Sequence, residues 1–119
     1  MIDRQKFNDT FQYFDKDVLL KIIDIFEKEL PGRLETISRN IREENYKTLA
    51  FNAHSMKSAA GTFLASEPVI LASKIEEMAI RESGQELPEL FEQLKAAEEE
   101  LLRELTEIRK EFLSENLQP

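Results

Sequence analysis

His54 is the only histidine among 119 residues and there is no cysteine, so imidazole or thiol chemistry in this chain falls to one side chain. Lys57 follows it by one helical turn, where an ammonium can stand beside the ring and favour a bound anion. The run Tyr46 to Ser66 contains no acidic residue, although 24 Asp and Glu in 119 positions would place about four there. A surface kept free of negative charge suits the same anion. On helical spacing the neighbours of His54 are Ala50, Phe51, Lys57, Ser58 and Gly61. Ala50, Ser58 and Gly61 are small, so the ring would rise from a low surface open to something large. Gly61 within a helix costs about 1 kcal/mol against alanine, which close approach of a partner would explain. Two readings of His54 stand side by side: an ordinary exposed polar residue, or an outward, reactive imidazole.

Other chemistries fit poorly. One histidine without cysteine makes a zinc site improbable, and Phe51 occupies the place of the glutamate in the Glu-x-x-His motif of di-iron bundles. A hydrolase triad needs a pocket and an oxyanion hole, which a smooth helix does not offer. Gly-rich phosphate loops are absent from the sequence.

The elements that would position His54 are helices. Asp3 is a candidate N-cap for a short helix through Phe7 and Phe11 to about Tyr13. Asp15 would cap a longer one, whose stripe runs Leu19, Ile22, Ile23, Phe26, Leu30, Leu34, Ile37 and Ile41. The apolar phase continues across Pro31-Gly32, which favours one kinked helix over two helices with a tight turn. After a polar turn near Glu43 to Asn45, a third helix buries Leu49, Ala53, Met56, Ala60 and Phe63. On a wheel of about 100° per residue these lie within about 40° of Leu49, and His54 falls at about 140°, pointing outward. Ser66 is a candidate cap and Pro68 a first-turn residue for a fourth helix with Val69, Leu71, Ala72, Ile75, Met78 and Ala79, ending at Ser83-Gly84-Gln85. The last helix starts near Leu87-Pro88 and carries Leu87, Phe91, Leu94, Leu101, Leu105, Ile108 and Phe112, with Glu98 as a polar break. Fraying is expected from Ser114 to Pro119. The expected fold is all-α: an antiparallel up-down four-helix bundle with a short additional N-terminal helix, and residues 1–119 form a single domain.

Composition agrees with this. Three glycines, four prolines and 34% charged residues favour helix over strand. No apolar run reaches the roughly 18 residues of a membrane span, and the N-terminus lacks a secretory apolar region. A soluble, cytoplasmic protein without a membrane partner is expected. A net charge of −8 argues against nucleic acid, whose phosphates most of the surface would repel.

The stretch His54-Ser55-Met56-Lys57-Ser58-Ala59-Ala60-Gly61-Thr62-Phe63 resembles the signature of histidine phosphotransfer (HPt) domains, especially the form found in chemotaxis histidine kinases. The family pattern is His, two residues, Lys and then Gly, with a second Gly ten residues after the His. His54 and Lys57 match; Ser58 and Leu64 stand at the two glycine positions, and Gly61 matches a glycine of the chemotaxis form. The order of elements agrees, since the motif lies on the second bundle helix and Ile75-Glu76 follows on the next. The resemblance implies that His54 accepts a phosphoryl group, on Nε2, from a receiver-domain aspartate or a histidine kinase and passes it to a receiver aspartate. It implies that Lys57 balances phosphate charge, and that Glu76 holds the ring; an ordinary surface glutamate is the other reading of Glu76. Ala50, Phe51, Ser58 and Gly61 would form the partner surface. No cofactor is expected in this chain, Mg²⁺ being expected on the receiver, and the chain would be a monomeric carrier without catalysis of its own.

Two competing readings remain. In one, the heptad-like stripe from Leu87 to Phe112 is the face of a helical interaction module rather than part of the core. In the other, the chain is the dimerisation and phosphoacceptor domain of a histidine kinase. Against the latter, Ser55 stands where an acidic residue should follow the histidine, and no proline follows within the next turn or two.

Overall fold

The computed structural model describes residues 2–117, with side chains described as far as Ser114. Five helices follow in order: α1 (Arg4–Phe11), α2 (Lys16–Arg42), α3 (Tyr46–Thr62), α4 (Ser66–Ile80) and α5 (Leu87–Leu117). Helix α2 packs on α3 and α5, and α4 packs on the same two, which closes the four into an up-down bundle. The buried stripes are those the spacing predicts, from Leu19, Ile23, Phe26, Leu30, Leu34 and Ile37 on α2 to Leu94, Leu101, Leu105 and Ile108 on α5. The α5 stripe is therefore core.

Helix lengths explain the role of α1. At about 1.5 Å per residue, α2 and α5 are roughly 40 and 46 Å long, while α3 and α4 reach only about 25 and 22 Å. The excess would leave apolar surface uncovered at one end. There Phe7 and Phe11 of α1 line a shared hollow with Leu19 and Phe112, and Ile2 bridges to Ala65 at the foot of the α3–α4 hairpin.

Several expectations about boundaries are corrected. Helix α1 stops at Phe11 rather than Tyr13, because the chain turns there, Phe14 N–H donating to the Phe11 carbonyl before Asp15 caps α2. Helix α2 runs unbroken through Pro31 and Gly32, so the reading as two helices fails. Pro31 is exposed, and the carbonyl it deprives of a donor can be hydrated. Ser66 is not the cap of α4. Ala65 holds that place, extended at φ −90° and without a capping side chain, since the bridge to Ile2 fixes it just ahead of the helix. Helix α5 continues past Ser114 to Leu117, with no glycine or proline to stop it; the predicted fraying of Gln118 and Pro119 lies outside the described residues.

Candidate functional site

Helix α3 begins where Asn45 accepts from Thr48 N–H at its first turn, and its buried face is Leu49, Ala53, Met56 and Ala60. With that face anchored, His54 must look out. Its side chain is 61% exposed. On the neighbouring helix, Ile75 is buried, and the next residue, Glu76, emerges at the α3–α4 seam with its side chain only 19% exposed. Its two oxygens are divided between two partners. Oε2 lies 2.8 Å from His54 Nδ1, and Oε1 accepts from Lys57 Nζ at 3.1 Å.

The division decides the state of the ring. A carboxylate only accepts, so Nδ1 carries a proton, and in the neutral ring the lone pair is on Nε2. Among the described residues Nε2 has no hydrogen-bond partner. An exposed neutral imidazole with its basic nitrogen turned to solvent can act as a nucleophile toward an incoming electrophile, and the carboxylate behind it stabilises positive charge that develops on the ring. Lys57 is half-buried against the same carboxylate, so one anion joins the ring and the ammonium in a single unit.

The surroundings are low. Ser58 and Gly61 are exposed, Ala50 is half-buried, and Phe51 stands out at 74% exposure. A Cβ added to Gly61 would meet only Val69 Cγ2, at 3.9 Å, an ordinary contact. Packing therefore does not require this glycine.

On the other flank of α3, a groove of about 430 Å³ runs between α2 and α3, lined by Lys28, Glu29, Arg33, Thr36, Asn52 and Ser55 among others. Arg33 Nη1 donates to Ser55 Oγ at 2.9 Å and Nη2 to Glu29 Oε2 at 3.1 Å, and Asn52 Nδ2 donates to the buried Asn40 at 2.8 Å. Sequence spacing did not single out Arg33 or Asn40. The available signal was two polar residues on the core side of α2, about 60° and 80° from Leu30 on the wheel.

The second departure from the glycine pattern shows in the backbone. After α3 the carbonyls of Ala60 and Gly61 accept from Ala65 and Leu64 N–H at 3.3 and 3.0 Å, the arrangement of a Schellman cap. Leu64 occupies the left-handed position at φ 61°, which glycine fills at no steric cost. The helix end is thus the one the pattern calls for, built with a strained residue.

Comparison with known proteins agrees with the resemblance. A family model described as the Hpt domain matches residues 21–111, a span that includes His54, Lys57 and Glu76 and leaves out α1. No curated protein and no solved structure matches the chain significantly. Hpt domains carry phosphoryl groups on histidine in phosphorelays and interact with kinases and receiver domains. With the family model covering most of α2 to α5, the chain belongs to the Hpt domain family.

Proposed function

We propose that His54 is the phosphoryl-carrying residue, loaded from a receiver aspartyl phosphate or a histidine kinase and discharged to a receiver aspartate. The supporting observation is the bond between His54 Nδ1 and Glu76, which leaves Nε2 outward and basic. The chain has no second histidine to take the role. In loading, the Nε2 lone pair forms the N–P bond as the acyl P–O bond breaks and the aspartate leaves as carboxylate. No proton has to move, because Nδ1 keeps its own. The ring becomes a phosphoimidazolium, whose positive charge faces Glu76. Lys57 is placed one turn along to turn from Glu76 toward the phosphoryl oxygens, where charge accumulates in the transition state. Delivery reverses these steps.

The acidic pocket and Mg²⁺ for the transfer belong in this reading to the receiver, and the chain is a monomeric carrier with no catalysis of its own, working in the cytoplasm. Ala50, Phe51, Ser58 and Gly61 form the surface against which the receiver seats. The test is incubation with a phosphorylated receiver domain and Mg²⁺, followed by assay for acid-labile, base-stable phosphate. Wild type should take up label and His54→Gln none. Absence of uptake by wild type, or equal uptake by the variant, overturns the proposal.

A further inference from the structure

Two of the most exposed large apolar side chains among the described residues stand on either side of the α3–α4 seam. Phe51 on α3 is 74% exposed, and Ile80, the last residue of α4, is 70% exposed. Contacts along the seam fix how the two antiparallel helices are set against each other. Glu76 meets His54 and Lys57, Val69 lies against the place where a Cβ of Gly61 would be, and the Tyr46 hydroxyl lies against the same place at Gly84. A step up α4 is therefore a step down α3. Ile80 comes four residues after Glu76 and Phe51 three residues before His54, so both sit about 5–6 Å along the seam from the His54–Glu76 pair, in the same direction. These spacings also keep side chains on one helical face, so Phe51 shares the outward face of His54 and Ile80 that of Glu76.

Single apolar residues scattered over a surface are ordinary. A pair at one level on neighbouring helices, one turn from the only histidine, is a patch at the candidate site. Glu77 and Arg81, beside Ile80 on α4, are paired with each other at 2.7 Å, so their charges offset. In the other direction along α3, Ser58 and Gly61 keep the surface low. The face around His54 is thus uneven, with a raised apolar ledge at one end of the ring and a low shelf at the other.

What covers the ledge follows from the chemistry of His54, and this step rests on His54 being the carrier. An aspartyl phosphate reaches Nε2 only when the domain that bears it touches the ring, and a specific interface covers about 800 Å² on each partner. Side chains about 6 Å from the ring lie inside any such footprint. We propose that Phe51 and Ile80 are specificity-determining residues for the receiver. They take an aliphatic or aromatic side chain that the receiver presents within about one helical turn of its phosphoaspartate, while the body of the receiver lies over Ser58 and Gly61. Neither residue touches the reacting atoms, and no bond is made or broken at the ledge. Its contribution is the burial of apolar surface on both partners, concentrated in a few central anchors. A receiver with a charged residue at that place would bury it unpaired against Phe51 and Ile80 and is rejected.

The test uses a panel of receiver domains, phosphorylated with a small acyl phosphate and Mg²⁺, and the variants Phe51→Ala, Ile80→Ala and Ile80→Lys. For the receivers that label wild type best, each alanine should raise KM about tenfold and leave the rate at saturation unchanged. The ratio of variant to wild-type KM for the alanines should hold between about 0.05 and 0.5 M salt, as an apolar contact requires. Ile80→Lys should reorder the panel, costing the receivers that wild type prefers more than those it takes poorly. Melting temperatures should not fall, because both side chains are already in water. An unchanged KM in Ile80→Ala, a salt-dependent ratio, or a loss in Ile80→Lys that falls equally on every receiver overturns the proposal. Docking is also read without transfer, from the affinity of the unphosphorylated receivers for His54→Gln with and without each ledge substitution. If wild type takes no label from any receiver, the carrier reading is what fails. A tenfold weaker affinity in the ledge variants then still supports the ledge, and an unchanged or undetectable one overturns it.

Discussion

Glu76 Oε2 lies 2.8 Å from His54 Nδ1 while its other oxygen holds Lys57 Nζ at 3.1 Å, so one carboxylate orients both side chains of the candidate site. The first prediction follows from that division. In Glu76→Gln the amide can donate as well as accept, so it no longer requires the proton on Nδ1. Nitrogen NMR of His54 should show the Nδ1–H tautomer dominant in wild type and a mixture in the variant. Phosphoryl uptake should fall about tenfold, the usual size of a lost orienting contact. Unfolding free energy should change by no more than about 1 kcal/mol, since the bonded partners are at the surface. An unchanged tautomer would show that Glu76 does not set the ring.

The second prediction concerns stability against pH. The Glu98 carboxyl ordinarily titrates at 4.5, and burial raises it to about 7 in the folded chain. Between those values the folded state binds the proton that the unfolded state has released, so stability falls as pH rises. The penalty is absent below the unfolded value, grows through the window, and is complete above the folded one. Its size is about 3 kcal/mol. Glu98→Leu removes both the titration and the buried charge, and an apolar residue of similar volume at such a site is tolerated or stabilising. Thermal melts of the two proteins should therefore diverge with rising pH, the variant gaining on the order of 10 °C by about pH 7.5 relative to the difference at about pH 4.5. Parallel melting curves across that range would mean that Glu98 does not titrate in the window.

The legible parts of this chain were those that periodicity controls. Leu49, Ala53, Met56 and Ala60 set the wheel that turned His54 outward, and the same spacing laid out the buried faces of α2 and α5. The Glu76 position came from family resemblance; periodicity said only that a residue beside Ile75 could emerge at the seam. What stayed hidden depends on distances between helices or on backbone angles. Glu98 read as a break in a stripe, and that its carboxyl is wholly buried without a hydrogen-bond partner among the described residues is a property of the packed core. Ser66 looked like a cap because it is the right residue type, yet the bridge between Ile2 and Ala65, far apart in sequence, fixes the start of α4 one residue earlier.

The helix ends give a third prediction. Helices α2, α3 and α4 each close with a residue in the left-handed region, Glu44 at φ 55°, Leu64 at φ 61° and Glu82 at φ 54°, none of them glycine. The side chain costs about 1 kcal/mol or more there, offset in part by the greater freedom glycine has in the unfolded chain. Glu44→Gly and Glu82→Gly lose only exposed side chains and should each stabilise by about 0.5–1 kcal/mol in denaturant unfolding. Leu64 is half-buried, so Leu64→Gly gives up apolar contact and should gain less than either. A gain at Leu64 larger than at Glu44 would mean that its side chain contributes nothing to packing.

Gly61 separates fold from function most directly. A methyl there would touch Val69 Cγ2 at 3.9 Å without displacing it, and alanine is favoured over glycine inside a helix by about 1 kcal/mol. Gly61→Ala should therefore raise stability by about 0.5–1 kcal/mol, somewhat less than the full propensity because the residue is in the last turn of α3. If the surface beside His54 is kept low so that a receiver can approach, the same methyl should raise the apparent KM for the phosphorylated receiver about fivefold or more, which corresponds to the lower end, about 1 kcal/mol, of what overpacking a tight contact costs. Gly32, exposed on α2 with nothing within 4 Å of an added Cβ, supplies the control. Gly32→Ala should stabilise by a similar amount and leave the KM unchanged. A Gly61→Ala protein that is more stable and transfers at the wild-type rate would show that the receiver seats elsewhere on α3.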